Sequence, residues 1–471
     1  MEKIETNNIT DIKDRILESF NLNLDDLRDI QDGNGAVNCV FISSGCKLNQ
    51  FESSQFEEMF KQLNININIV EPDLTAQNMH LNLKSDPKNI QLFFLNTCSV
   101  TEKADTYTNK IIRKIRRNYP ESRLILTGCS AELNKKDFSG RPFIKLIDNI
   151  RKAVLLKTAS ETLPGTILNQ KRVRPYLKIQ EGCETECSFC IIPKARPVKW
   201  SLDIKAVLNF VKEFNTLGYK EVILTGVNIG SYESKIRAGK NGKGQGFKEL
   251  LKRIEELNIP IKIRISSIDP IYIDDELIEI FANSKKIQNH FHIPLQSASN
   301  KILALMNRHY NFEDYMKITE KLTGKIKDAA LGTDIISGFP GETEEDFLDA
   351  ADSLSRLPLY YIHAFSYSDR PGAKAYLMKP KIDGRVIKQR TNKIMEISLQ
   401  KKIDFHLKFK NKSLEFLSLP GNKAVSSNYI KAKLHQDNLT IPPGKLFKGK
   451  IIETEDLYAK DEVLIAFEDF I

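Results

Sequence analysis

Three cysteines fall close together in Gly182-Cys183-Glu184-Thr185-Glu186-Cys187-Ser188-Phe189-Cys190. The pattern is C-x3-C-x2-C, directly after a run, Tyr176–Gln180, that reads as a strand. Three thiolates on one tight loop can hold three irons of a [4Fe–4S] cluster and leave the fourth iron open. An open metal position binds a small ligand, and the amino and carboxylate groups of S-adenosylmethionine (SAM) suit it. Two other uses compete. Structural zinc needs a fourth ligand, and the nearest downstream histidine, His290, lies 100 positions on. A redox thiol pair needs two cysteines, and three at this spacing overshoot it.

Three further cysteines share a structural place. Val37–Ser43 reads as a strand ending in Ser44-Gly45-Cys46; Ile90–Leu95 as one ending in Asn96-Thr97-Cys98; Leu124–Thr127 as one ending in Gly128-Cys129. Helical patterns over Asn49–Leu63 and Ala104–Asn118 separate them. Strands alternating with helices predict a parallel α/β sheet. The C-terminal strand ends of such a sheet form a shared crevice, so thiols 52 and 31 positions apart are brought together. Cys39, inside the first strand, reads as a buried filler.

The Cys183 loop opens a long repeat of strand–helix units. Candidate strands at Tyr176–Gln180, Glu221–Gly226, Lys262–Ser266, Asn289–Pro294, Ala330–Ile336 and Tyr361–Tyr367 predict a partial α/β barrel with its working residues at the strand C-termini. Residues 160–174, with Pro164-Gly165, read as a linker. Beyond Phe405, short β-type runs (Leu414–Ser418, Tyr429–Leu434, Val463–Phe467) and Pro-Gly turns predict a small β-barrel. The expected division is an acidic extension at 1–36, an α/β sheet domain at 37–160, a barrel domain at 172–404 and the small β-barrel at 405–471.

The net charge is +9; the first 36 residues carry −5, leaving +14 on the rest. Residues 405–450 carry +7 and 451–471 carry −6. This excess favours an anionic partner such as nucleic acid. The basic helix Lys110–Arg117, near Cys98, offers a second phosphate-binding surface. No apolar run reaches the ~18 residues of a membrane span, and the N-terminus lacks a secretory pattern. Seven cysteines, an odd number, argue against a disulfide framework. A cytoplasmic protein is expected.

The C-x3-C-x-φ-C motif, with Phe189 as the aromatic, resembles the radical SAM enzymes, whose fold is a partial (β/α)6 barrel. Several segments in order resemble one subgroup, the methylthiotransferases: Gly45–Ser53, Asn96–Thr101, Thr127–Cys129, Lys178–Cys183, Leu224–Asn228, His292–Ser297 and Gly332–Thr343. The likeness runs from about residue 38 to 400, and more weakly into that family's C-terminal RNA-binding β-barrel, the TRAM domain. It implies two [4Fe–4S] clusters, one on Cys183, Cys187 and Cys190 and one on Cys46, Cys98 and Cys129, with SAM as cosubstrate.

The resemblance also implies a reaction. SAM is cleaved reductively at the first cluster, the resulting 5′-deoxyadenosyl radical takes the hydrogen from C2 of an adenine, and a methylated sulfur from the second cluster is transferred. Phe189, Gly226, Asn228, Ser267, Gln296, Asp334 and Gly338 are the implied SAM contacts, with Ser266 beside them. His290 and His292 read as satisfied core histidines. The implied partners are the anticodon stem-loop of tRNA and an electron-donor protein such as a flavodoxin or ferredoxin, with no membrane.

Cys46-Lys47-Leu48-Asn49-Gln50-Phe51-Glu52 looks most like the type acting on N6-threonylcarbamoyladenosine. Isopentenyladenosine in tRNA and a ribosomal-protein aspartate are the alternative substrates. Lys194-Ala195-Arg196-Pro197 and Ala298 depart from the family pattern on the substrate side. A non-catalytic metal-cluster RNA-binding protein is the alternative of another class.

Overall fold

The computed structural model describes residues 37–62, 67–70, 72–73, 82–83, 90–162, 165–234, 245–435, 440–453 and 462–471. The expected extension at 1–36 and most of 64–90 lie outside the described residues. The chain forms two compact units: one runs to Gln170 and includes Glu181–Glu184 and Ile191–Lys199; the other comprises Lys171–Gln180, Thr185–Cys190 and Trp200–Ile471.

The first unit is a parallel sheet of β1 (Val37–Ser43), β2 (Ile67–Val70), β3 (Leu92–Thr97), β4 (Arg123–Gly128) and β5 (Ile144–Ile147), in the order β2-β1-β3-β4-β5. Helices α1 (Lys47–Gln62), α2 (Glu102–Asn118), α3 (Cys129–Leu133) and α4 (Asn149–Thr162) connect the strands. Helices cover both faces, so β3 is buried along its whole length. The period-2 alternation of strand side chains then separates two cores. Cys39, Leu92, Phe94 and Ile125 pack with Phe56, Met59, Leu155 and Leu156 on one face. Val40, Ile42, Phe93, Leu95, Leu124 and Leu126 pack with Ile111, Ile112 and Ile115 on the other. In α2 the buried stripe Thr108, Ile111, Ile112, Ile115 leaves Lys110, Arg113, Arg116 and Arg117 exposed. Thr101 caps its first turn by accepting from the Ala104 N–H.

Two sequence expectations shift here. The second strand runs to Thr97 instead of Leu95, because Asn96 and Thr97 pair with Thr127 and Gly128. Residues 160–174 are not a plain linker: α4 continues to Thr162, and Gly165–Leu168 is helical with Thr166 and Ile167 buried. Asn169 fastens this segment to α1 by donating to Glu58 Oε1 at 2.8 Å.

In the second unit six parallel strands follow in order: β6 (Tyr176–Glu181), β7 (Glu221–Gly226), β8 (Lys262–Ile265), β9 (His290–His292), β10 (Ala330–Ser337) and β11 (Tyr361–Ser366). Pairs β6-β7-β8 and β9-β10-β11 are joined by a parallel bridge between Ile263 and Ile287. Helices α5 (Ile204–Thr216), α6 (Phe247–Glu255), α7 (Asp275–Asn283), α8 (Phe312–Lys325), α9 (Glu344–Arg356) and α10 (Gly384–Leu407) cover the outside. This is the expected partial (β/α)6 barrel. Its fourth strand is shorter than 289–294, ending at His292 before the irregular turn that puts Gln296 at φ +73°.

After α10 a closed barrel is formed by β12 (Ser413–Leu419), β13 (Lys423–Ser426), β14 (Lys431–Leu434), β15 (Leu446–Glu453) and β16 (Val463–Phe470), in the order β12-β13-β14-β16-β15. Strand β15 escapes the sequence reading because lysines alternate with its inward residues: Phe447, Gly449 and Ile451 face in, while Lys448 and Lys450 are exposed; β13 escapes it because it is only 4 residues long. Among the described residues no helix is long and apolar enough to cross a membrane.

Candidate metal centres

Strands β1, β3 and β4 are neighbours in the sheet, and each delivers one cysteine just past its C-terminal end: Cys46, Cys98 and Cys129. The three ends are stitched together. Ser44 N–H donates to Asn96 O at 2.9 Å, and Cys98 N–H to Ser44 Oγ at 3.2 Å. Asn49 Nδ2 donates to Ser44 O at 2.8 Å and Thr97 O at 3.0 Å. Thr97 Oγ1 donates to Thr127 O at 2.6 Å. Close approach also requires glycine before two of the cysteines. Gly45 has φ +99°, and a Cβ there would meet Cys98 Cβ at 2.4 Å; Gly128 has φ +98°, and a Cβ would meet Thr97 O at 2.3 Å.

Cys46 is exposed, while Cys98 and Cys129 are buried. Burial pushes the Cys98 thiol up to about 11, against a hydrogen bond from the Val100 backbone, and the neighbouring Cys46 and Cys129 sulfurs push it the same way. The Cys129 thiol is also raised by burial, opposed by Arg196 and Lys152. The three sulfurs therefore act on one another. Three thiol donors, with no carboxylate or imidazole delivered beside them by the same strand ends, are the ligand type that iron–sulfur clusters take. Cys39 lies fully buried in the core of this unit, its thiol raised chiefly by burial.

Beside Cys129 lies a buried ionic network that the sequence reading missed. Arg196 is 3% exposed, Lys152 1% and Glu52 0%. Arg196 donates to Glu52 at 2.8 and 3.2 Å, to both Glu181 oxygens at 3.0 Å and to Asn49 Oδ1 at 2.8 Å. Lys152 Nζ stands 2.8 Å from Glu52 Oε2. Arg196 thus ties α1, which starts beside Cys46, to Glu181, two residues before Cys183. The available signals were Glu52 in the first cysteine segment and Arg196 in a segment that departs from the family pattern.

The Cys183–Cys190 loop follows β6. In the second unit its far half is held by the turn after the helix Asn300–Leu305. Ser188 N–H donates to Met306 O at 3.0 Å, Ser188 Oγ to Leu305 O at 2.8 Å, and Asn307 Nδ2 to Glu186 O at 2.9 Å. Arg308 Nη1 donates to the Cys187 sulfur at 3.1 Å, while Nη2 holds Asp269 at 2.6 Å and Nε holds the Tyr310 hydroxyl at 2.9 Å. Phe189 packs on Ile302, Met306, Phe339 and Ala375.

The other candidate residues distribute around the strand ends. Asn228 N–H donates to Gln180 Oε1 at 2.8 Å, and its side chain reaches Tyr272 and Thr185. Gly226 lets Gln180 approach, since a Cβ there would meet the Gln180 side chain at 3.0 Å. Ser267 is exposed; Ser266 is buried. Gln296 bridges to β10, its N–H donating to Asp334 O at 2.8 Å. Gly338 admits Ile387 of α10, which a Cβ would meet at 2.4 Å, so this glycine is committed to packing.

Asp334 accepts from His292 Nε2 at 2.9 Å and His363 Nδ1 at 3.2 Å. Burial raises this carboxyl, but the hydrogen bonds from the two imidazoles outweigh it and hold it far below the usual carboxylate range. The Tyr361 hydroxyl lies 2.9 Å from His290 Nε2 and 3.1 Å from His292 Nδ1. Both histidines are buried with hydrogen-bond partners, as the sequence reading expected.

Comparisons with known proteins agree with this architecture. The radical SAM superfamily matches residues 177–354, and Uncharacterized protein family UPF0004 matches residues 38–147. Threonylcarbamoyladenosine tRNA methylthiotransferase MtaB of Aquifex aeolicus is 33% identical over 415 residues, covering 84% of this chain and 96% of that protein. The tRNA-2-methylthio-N(6)-dimethylallyladenosine synthase of Fusobacterium nucleatum is 29% identical over 439 residues, covering 88% and 95%. Among solved structures, the radical SAM methyltransferase TsrM from Kitasatospora setae shares the fold alone, with TM-score 0.51 and 13% identity over 73% of this chain and 75% of that one. With such identity over nearly its whole length, the chain belongs to the radical SAM methylthiotransferases, a family of enzymes.

Proposed function

We propose that this enzyme inserts a methylthio group at C2 of N6-threonylcarbamoyladenosine, beside the anticodon of tRNA. The observation that carries the reading is the delivery of three thiols from three adjacent strand ends, in a chain whose other thiol trio opens the radical SAM segment. Cys183, Cys187 and Cys190 would hold one [4Fe–4S] cluster with SAM at its open iron, and Cys46, Cys98 and Cys129 a second. When bound, these groups supply one-electron chemistry at an aromatic C–H bond that acid–base catalysis does not break.

The chain's own residues position those groups. Arg308 gives the Cys187 sulfur a charged hydrogen bond, which favours the thiolate that metal binding needs. Phe189, Gly226, Asn228, Ser267, Gln296, Asp334 and Gly338 make up the proposed SAM-binding set. For Gly338 the role is indirect, through the turn that its contact with Ile387 shapes. Exposed lysines on β14 and β15 (Lys431, Lys433, Lys448 and Lys450) and the basic face of α2 suit tRNA phosphates. The proposed electron donor is a flavodoxin or ferredoxin, and the proposed compartment is the cytoplasm.

The threonylcarbamoyl substrate is favoured by the Aquifex relative; the Fusobacterium relative favours dimethylallyladenosine as a second reading. Mass spectrometry of tRNA nucleosides from cells lacking the gene decides. Loss of 2-methylthio-N6-threonylcarbamoyladenosine, restored by the intact chain, supports the first; loss of the dimethylallyl form alone supports the second. If both nucleosides persist in cells with no second enzyme for either, the proposal fails.

A further inference from the structure

We infer that His363 and Phe365 form the nucleoside subsite of the six-stranded barrel. The Phe365 ring stacks on the adenine, and His363, held by Asp334, binds the carboxylate of the threonylcarbamoyl group. The inference rests on the proposed substrate and deepens it.

Both residues lie on β11, the last strand of the barrel, and the contacts of its neighbours fix their direction. Ser366 of β11 and Ser337 of β10 bond Thr391 of α10, at 2.8 and 2.7 Å, so these positions face the outer helices. Side chains alternate along a strand, so His363 and Phe365 face inward, with Asp334 and Ile336 of β10 as their register partners. Ile336 packs in the same cluster as Phe189 of the Cys183–Cys190 loop. This inner wall therefore borders the proposed SAM site, and a base that gives up a hydrogen there must lie against it.

The wall is held but not covered. His363 Nδ1 donates to Asp334 Oδ1 at 3.2 Å, and its ring lies 4.9 Å from that of Tyr361 and 5.1 Å from that of His292. His292 Nε2 fixes the same Asp334 oxygen, so Oδ2 still serves the proposed SAM contact. Yet the His363 side chain is 56% exposed, and no hydrogen bond reaches its Nε2 among the described residues. Phe365, 41% exposed, stands edge-on to it at 6.5 Å between centroids.

Orienting an imidazole with a carboxylate while leaving its other nitrogen open is preorganisation for a ligand. A protonated imidazole donates from both nitrogens, so the ring can bridge Asp334 and a second carboxylate. The threonylcarbamoyl group carries one. The dimethylallyl group carries no polar atom and gains nothing from His363. The exposed aromatic ring beside it gives the base a stacking face.

The test uses the reconstituted full-length enzyme and two anticodon stem-loops, one bearing N6-threonylcarbamoyladenosine and the other its threonyl methyl ester. The readout is the ratio of their kcat/KM values for methylthiolation, in which incomplete cluster loading cancels. The wild type should favour the free carboxylate about tenfold or more, the scale of a charged hydrogen bond. In His363→Leu the ratio should fall close to one. Phe365→Ala should lower kcat/KM for both RNAs alike, by about tenfold, and keep the ratio. Where a variant makes no product, the ratio of the two RNAs' Kd values replaces it.

A wild-type ratio near one, or a ratio that survives in His363→Leu, overturns the carboxylate assignment. An unchanged kcat/KM in Phe365→Ala overturns the stacking. If the wild type modifies neither RNA but does methylthiolate a dimethylallyladenosine stem-loop, the substrate reading itself fails and takes this inference with it, an outcome distinct from a lost ratio.

Discussion

Arg308 donates from Nη1 to the sulfur of Cys187 at 3.1 Å, and the same guanidinium is locked by Asp269 and Tyr310. A charged, immobilised donor on one ligand of a trio orients that ligand and favours its thiolate. Arg308→Met should therefore reduce iron retention or SAM cleavage roughly 10- to 100-fold, the usual loss for an outer-shell partner. Arg308→Lys should recover part of it. Iron analysis and deoxyadenosine release check both variants.

The two thiol trios should separate experimentally. Cys129→Ser is expected to lose about four of about eight irons, keep reductive SAM cleavage and make no methylthio product. Cys183→Ser should lose a similar share of iron together with SAM cleavage. Iron and sulfide analysis paired with a deoxyadenosine assay distinguishes the two. Equal loss of SAM cleavage in both variants would contradict separate roles.

Arg264 pairs with Glu221 through two bonds, at 2.8 and 3.0 Å, and donates to the carbonyls of Ser427 and Ser426. Both charged side chains are 2% exposed. Arg264→Leu leaves the buried Glu221 carboxylate with only Arg174 at 3.5 Å and a hydrogen bond from Gln288 at 3.0 Å, so the loss falls below the roughly 3–5 kcal/mol of a buried pair broken outright, at about 1–3 kcal/mol. The guanidinium also lies over the Tyr429 ring, which stacks on His290 with centroids 4.2 Å apart. The variant should therefore loosen the C-terminal barrel from the six-stranded barrel, visible as earlier proteolysis between them and a lowered denaturation midpoint in urea.

Lys401 of α10 is buried and donates to the carbonyls of Ser355 and Leu357 near the end of α9. Burial pushes its ammonium down to about 8. The unfolded chain keeps its lysines protonated up to about 10.4. Between those values the unfolded state binds more protons, so stability rises with pH from about 8 to about 10.4. A rise on the order of 1–3 kcal/mol is expected from this residue. Urea melts across that range should show it in the wild type and not in Lys401→Met; a fall attributable to Lys401 would refute it.

Much of the molecule was legible in one dimension. The Cys183, Cys187, Cys190 motif is local, so its spacing alone identified it. The strand-end placement of Cys46, Cys98 and Cys129 followed from hydrophobic alternation and Gly-Cys turns, because parallel strands must end together at one edge. The strands of the six-stranded barrel were readable for the same reason: each is an apolar run bounded by helical periodicity. By contrast, β15 was missed because its outward lysines dilute the apolar signal, β13 because its 4 residues are too few to show a period, and residues 165–168 read as a linker because Pro164-Gly165 marks a turn.

What the sequence determined was therefore what depends on short spacing and on repeating pattern: the placement of the two thiol trios, the fold class and the family. Tertiary structure alone decided which charges face one another. Glu52, Lys152 and Arg196 are separated by 100 and 44 positions and carry no common motif, yet Lys152 and Arg196 both close on the Glu52 carboxylate. Burial makes charged groups seek partners wherever the fold brings them, and that pairing has no signature along the chain.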